Sequence, residues 1–357
     1  YAIGEAFWQL GAFFARTDRR NFIWQTVALA FQGPTVLHQW LDGNRPRVTD
    51  EEVDALGFPK DVFHHFQIYA GIGGASAMAP PGANAGQPGP LTPRVSAGVN
   101  LKLINLDLYG HPGKTVRLLS DTTITQMILE STLGPKGLAD FYFHTKVALA
   151  GYYAQDIRRR DDGDLQGYSF FIGPASAYTF ELHDNGRFQE HIGIVNVLGT
   201  TMELVLTLGQ TRVHATLDVF GDFAAVRSFA FEEFESKHGN TTGTPSAFNE
   251  QKYTYLFGAT VTPELTVTFH QIELGGKVEN WLLHNIAGRD RQQEEVTREI
   301  SVIEARATAQ AWVSYTLPGD YLKLRLLYRQ IFRAGAVDDV WLAGTDRQLL
   351  AQMVFVF

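Results

Sequence analysis

The feature that most constrains this 357-residue chain is a period of two that holds over most of its length. In "TRVHATLDVF", Val213, Ala215, Leu217 and Val219 alternate with Arg212, His214, Thr216 and Asp218. In "VIEARATAQAWVSYTL", Ile303, Ala305, Ala307, Ala309, Ala311, Val313 and Tyr315 alternate with Glu304, Arg306, Thr308, Gln310, Trp312 and Ser314. "DFYFHTKVALAGYY" and "YLKLRLLYR" repeat the pattern. Side chains on an extended chain point alternately to opposite faces, so each run carries one apolar and one polar face. Strands in soluble sheets are about five or six residues long, whereas crossing a bilayer takes about nine to eleven. Several runs reach the longer figure.

Composition agrees with that pattern. Aromatic residues make up 12% of the chain, yet the mean hydropathy is only −0.10, so the apolar residues are interleaved rather than blocked. No run is apolar enough for a membrane-spanning helix; the nearest, Asn21 to Trp40, is broken by Gln25, Gln32, Gly33-Pro34 and His38. A net charge of −8 argues against nucleic acid as a partner. The absence of cysteine excludes disulfides, thiolate metal sites and cysteine nucleophiles.

The first 62 residues read differently. Ile3, Phe7, Leu10 and Phe14 recur at helical spacing, as do Ile23, Val27, Ala30 and Phe31 up to Pro34. "VTDEEVDALGF" looks like a short capped helix. The division expected is an N-terminal helical segment over 1–62 and a barrel over 63–357. The alternation gives about twelve strands, near 66–75, 94–108, 115–130, 138–156, 166–183, 187–208, 211–232, 250–262, 264–285, 297–317, 320–333 and 341–357. Ten or fourteen also fit. Short turns are expected at Gly209-Gln210, Thr262-Pro263 and Pro318-Gly319, with long polar loops around Gly239 and Arg291 at the other end. The Pro/Gly/Ala-rich stretch Ser76 to Pro93 reads as a further loop, and the charged run Gly288 to Glu299 as solvated surface.

The chain closes on "LLAQMVFVF", an alternating run with Phe355 and Phe357 at its end. With this terminal strand and the strand array before it, the sequence resembles bacterial outer-membrane β-barrel proteins. The resemblance covers about residues 66–357 and implies an all-β, antiparallel, up-and-down transmembrane barrel. It further implies Phe355 and Phe357 as a signal for the barrel-assembly machinery, contact with outer-membrane lipid and lipopolysaccharide, and both termini in the periplasm. The helical segment is foreign to the usual pattern. It could plug the lumen, lie on the membrane surface, or dock an envelope protein partner.

The polar faces supply the candidate lumen residues: His144, Lys146, Glu181, Arg212, His214, Asp218, His270, Glu304, Arg306, Lys323, Arg325 and Arg329. Mutual packing in a small barrel accounts for such a set; a conducted solute or bound ligand is the functional alternative. A two-residue turn at Pro318-Gly319 would set Trp312 opposite Arg325 and Ser314 opposite Lys323. No catalytic motif is present and no metal site or cofactor is expected. His144 and His270 have only threonines nearby where a lipid hydrolase would need serine, and His214 and Asp218 lie roughly 13 Å apart along a strand. Three readings stay open: a channel or transporter, a scaffold docked through its helices, and a lipid-modifying enzyme. A soluble all-β protein is the architectural rival.

Overall fold

The computed structural model describes residues 1–17, 22–42, 52–77, 89–106, 109–184, 189–238, 254–285 and 301–357. The stretches near Gly239 and Arg291, the run 288–299 and most of Ser76–Pro93 lie outside the described residues.

Among the described residues, twelve antiparallel strands close into a ring. In ring order they are β1 (Phe63–Ala77), β2 (Thr92–Ile104), β4 (Ile124–Gly134), β5 (Gly137–Ala148), β7 (Leu165–Asp184), β8 (Gln189–Leu208), β9 (Thr211–Arg227), β10 (Thr254–Phe269), β11 (Ile272–His284), β12 (Val302–Thr316), β13 (Leu322–Val337) and β14 (Val340–Val356). β14 pairs with β1 and so completes the circuit, which leaves the ring without a free edge. Two further strands, β3 (Gly113–Leu119) and β6 (Gly151–Arg159), pair with each other, and β6 runs along the first half of β7. They carry the lines of β4 and β5 past one rim.

The expected strands 115–130 and 138–156 are therefore each broken in two. Beside the second break, Pro174 of β7 has no N–H to offer; its carbonyl accepts from Leu149 N at 2.9 Å, and the ladder resumes at Tyr152. The expected turn at Thr262-Pro263 is also absent. β10 runs straight through Pro263, which stays paired with Leu217 of β9. Pairing to β11 lapses at 262–263 and resumes in the same register. The turn is His270-Gln271 instead, with His270 at φ 52°. The expected strand 211–232 ends at Arg227, and helix α3 (Phe229–His238) follows. Ser228 caps it, its Oγ accepting from Phe231 N at 3.2 Å.

At Pro318-Gly319 the loop is longer than two residues. Leu317 N donates to Leu322 O, and Gly319 and Asp320 both take positive φ. Ser314 therefore faces Arg325, and Trp312 faces Leu327. The register moves by two, so every side chain keeps its face and only its neighbour changes.

The outward face is apolar. Ile72, Leu129, Val219, Leu265, Leu274, Leu282, Val313, Leu324, Leu326, Leu349 and Met353 stand exposed on it. Tyr315, Tyr321, Phe269 and Phe355 cluster towards the rim that bears the ends of β12 and β14; Trp341, Phe332 and Phe257 lie towards the other. The inward face holds the charges. A soluble fold places these the other way round, so the surface is built for lipid.

Two glycines mark close approaches. A Cβ on Gly73 would stand 1.9 Å from Leu349 O across the β1–β14 seam. Gly73→Val is expected to reduce the fraction that closes, read as loss of the fast-migrating, heat-modifiable form on gels. Gly335 lets α3 come down onto β13, since a Cβ there would meet Ala230 and Glu304, each at 2.7 Å.

Helices α1 (Ala2–Ala15) and α2 (Phe22–Leu41) lie outside the ring. Leu10, Phe13, Phe14 and Ala28 form one cluster with Phe58, Phe66, Leu101, Leu103 and Met127. Phe66, Leu101, Leu103 and Met127 have the outward parity of β1, β2 and β4. The helices are not in the lumen, which removes the plug from the three roles considered for them.

Candidate functional site: the lumen

The interior is built by the inward residues of every strand, and its charges meet across the ring. Arg306 of β12 reaches Glu181 of β7 at 2.8 Å, from the opposite side. Arg333 of β13 bonds Glu190 of β8 at 2.8 Å and also Asp346 of its neighbour β14. His183 of β7 bridges Asp140 and Asp346, each at 2.5 Å. Arg329 of β13 binds Glu130 of β4 at 2.7 Å, and Tyr69 donates to the same carboxylate at 2.9 Å. Tyr142 of β5 donates to Glu279 of β11 at 3.2 Å, and Lys277 lies 3.4 Å from Glu279. Lys146 of β5 binds Asp218 of β9 at 2.8 Å.

Nearer the rim of the chain ends, Glu203 gathers Lys102 at 2.6 Å, Tyr109 at 2.6 Å and His214 at 3.2 Å. Tyr109 lies between β2 and β3; its burial, with Glu203 beside it, pushes its phenol well above the usual tyrosine range, so it remains a donor. Lys323 and Trp312 both donate to Glu273, at 2.7 and 3.0 Å.

At the opposite end the inward face turns apolar. Ile192, Ile194, Ala224, Val226, Leu256, Trp281, Leu283, Val302, Val337, Val340 and Leu342 form a socket, and α3 fills it with Ala230, Phe231 and Phe234. The Arg333 guanidinium lies 5.7 Å from the Phe229 ring, so helix and charged network share a residue. His238, at the end of α3, contacts Asp339 of the β13–β14 turn at 2.9 Å. What stays open within the network is a cavity of about 310 Å³, lined by both signs of charge from Lys102 and Trp312 at one end to Asp184 and Arg347 at the other.

Of the twelve candidate residues, His144, Lys146, Glu181, His214, Asp218, Arg306, Arg325 and Arg329 line this cavity. Arg325 donates to Gln67 at 3.1 Å and to Ser314 at 3.4 Å, in place of the expected position opposite Trp312. Glu304 is buried beneath α3, and Lys323 sits beyond the cavity on Glu273. Arg212 is exposed at the start of β9, on the inward parity it shares with His214, and His270 is exposed in a turn; neither lines the cavity. His144 approaches Thr179 at 3.0 Å. A threonine there, with no charged third member contacting the imidazole among the described residues, does not make an activated nucleophile.

The sequence reading missed the acceptors Glu130, Glu203, Glu279 and Asp346, and the hub residues His183 and Arg333. All share the inward parity of residues already selected. Arg333 continues the spacing of Arg325 and Arg329 by four. Parity gives the face, but cross-ring partners depend on the stagger of twelve strands, which no local pattern records.

A closed ring, apolar outside and charged within, decides the class. The fold is that of a bacterial outer-membrane β-barrel. No protein-family profile matches the chain, and no curated protein matches its sequence. Among solved structures it is similar to the TodX monoaromatic hydrocarbon channel in a deltaS2 mutant form, at 7% identity and a TM-score of 0.29, covering 84% of this chain and 90% of that one. It is also similar to the translocator domain of the autotransporter NalP from Neisseria meningitidis, at 9% identity and TM-score 0.24 over 90% and 97% of the two chains. A third is Pseudomonas putida OprB in its high-pH form, at 11% identity and TM-score 0.21 over 90% and 96%.

Proposed function

We propose that the protein is a narrow, gated outer-membrane channel whose lumen is held shut by its own side chains. One observation carries this reading: charged residues from opposite strands meet in the middle of the ring and leave a cavity of about 310 Å³ among them. A wide aqueous pore would keep its charges apart. A core meant only to be solid would exclude such a cavity. A polar cavity within a charged network, with a short helix seated in the apolar socket at one end, suits passage of ions or small hydrophilic solutes once the helix shifts. The strands would place both chain ends in the periplasm and α3 at the outer face, beside lipopolysaccharide, with Phe355 and Phe357 read by the assembly machinery.

Single-channel recording in planar bilayers tests this. The unaltered protein is expected to be nearly silent, with rare small openings. Phe231→Ala combined with Phe234→Ala strips α3 of the rings that seat it, and each such truncation costs about 3 kcal/mol of packing. Since about 1.4 kcal/mol is tenfold in an equilibrium, openings should become at least about tenfold more frequent. Unchanged silence in a variant that still runs as a heat-modifiable barrel would reject the channel. A scaffold is the second reading, favoured by helices that sit outside the ring; it predicts a partner retained through purification in mild detergent.

A further inference from the structure

Helix α1 has three faces rather than two. Ala2, Ala6, Leu10, Phe13 and Phe14 are buried against the barrel wall and α2. Glu5, Gln9 and Arg16 form a narrow polar edge: Glu5 accepts from Thr122 at 3.0 Å, Gln9 accepts from Asn105 at 3.1 Å, and Arg16 binds Asp61 at 2.6 Å. Asn105 and Thr122 lie just past the end of β2 and just before β4, so this edge follows the rim.

The third face carries no charged side chain and is open. Tyr1, Gly4, Trp8 and Ala12 follow one another at the three- and four-residue steps that share a side of a helix. Tyr1, Gly4 and Trp8 stand exposed, Trp8 by 53%, with Ala12 half-buried beside them. A surface helix in water turns polar residues outward, and this one does not. The wall that α1 covers is itself lipid-facing: Phe66, Leu101, Leu103, Met127 and Val147 all have outward parity. The open face of α1 therefore continues the apolar belt of the ring, one helix further out.

We infer that α1 is embedded in the bilayer leaflet at the rim of the chain ends, its Tyr1–Trp8 face in contact with phospholipid acyl chains and its Glu5–Gln9–Arg16 edge along the water boundary. Lipid is favoured as the occupant because the face is continuous with a surface that already meets lipid, and because the polar edge orients the helix as an interfacial one. The inference is independent of whether the lumen conducts.

The chain has no cysteine, so a single label reports without background. Trp8→Cys carrying a nitroxide, in phosphatidylethanolamine–phosphatidylglycerol vesicles, should be relaxed by oxygen and lose relaxation by a water-soluble nickel chelate. It should match Leu324→Cys on the lipid belt and differ from Asp320→Cys in a turn. Gly4→Cys, whose Cβ would enter open space, gives the same reading if the first variant does not fold. Relaxation like that of Asp320→Cys would overturn the inference. So would exclusion of both reagents, which means the face is covered by protein.

Discussion

Arg333→Ala should destabilise the barrel by about 3 to 5 kcal/mol, the usual result of removing one partner from a buried ion pair. Arg333 is well placed for the upper part of that range. Its side chain is 6% exposed, and Glu190 and Asp346 beside it are 5% and 11% exposed. Removing the guanidinium leaves two carboxylates facing each other without their cation, and takes the charged support from under Phe229. His183 is then the one remaining link from Asp346 across the ring among the described residues. Two effects should appear together: a lower midpoint in denaturant unfolding from detergent micelles, and more frequent openings in planar bilayers. Arg333→Met, which keeps the volume, should recover packing but leave the openings frequent. Unchanged stability in Arg333→Ala would mean that water already screens the network.

The second large effect belongs to the other side of the wall. Leu326 points outward between Leu324 and Tyr328 and pairs with Ala351. Leu326→Arg is expected to cost about 2 to 4 kcal/mol if its position is close to the bilayer midplane. Thr308→Arg, on the lumen side of β12, should cost less and alter conductance instead. Unfolding titrations in lipid vesicles distinguish the two faces. Equal tolerance of both substitutions would contradict the inside-out assignment on which the membrane reading stands.

Much of the ring is legible without coordinates. Alternation such as Ile303 to Tyr315 against Glu304 to Ser314 gives face, length and antiparallel order, because the pleat is a local property. Pro263 misleads for a reason equally local: proline usually ends strands, but Val261, Pro263, Leu265, Val267 and Phe269 alternate without a break, and that is the better signal. The α3 helix is hidden because Phe229 and Phe231 also fit a strand, while its socket draws on six strands besides β9. The pairing of Arg306 with Glu181 has no local trace at all. Their separation along the chain is long, and the meeting depends on ring closure.

Closure has one more consequence. Phe357 follows β14 and exchanges backbone hydrogen bonds with Phe66 of β1, at 3.0 and 2.9 Å. Both rings then sit in the patch that receives the helices: Trp24 of α2 lies 6.3 Å from Phe357, and Phe13 of α1 lies 5.4 Å from Phe66. Phe66, Leu101, Leu103 and Met127 form that patch on β1, β2 and β4, and closure adds Phe357 to it. The helices therefore bridge the seam through Trp24 and Phe357, a contact that has to part before the sheet can unzip there.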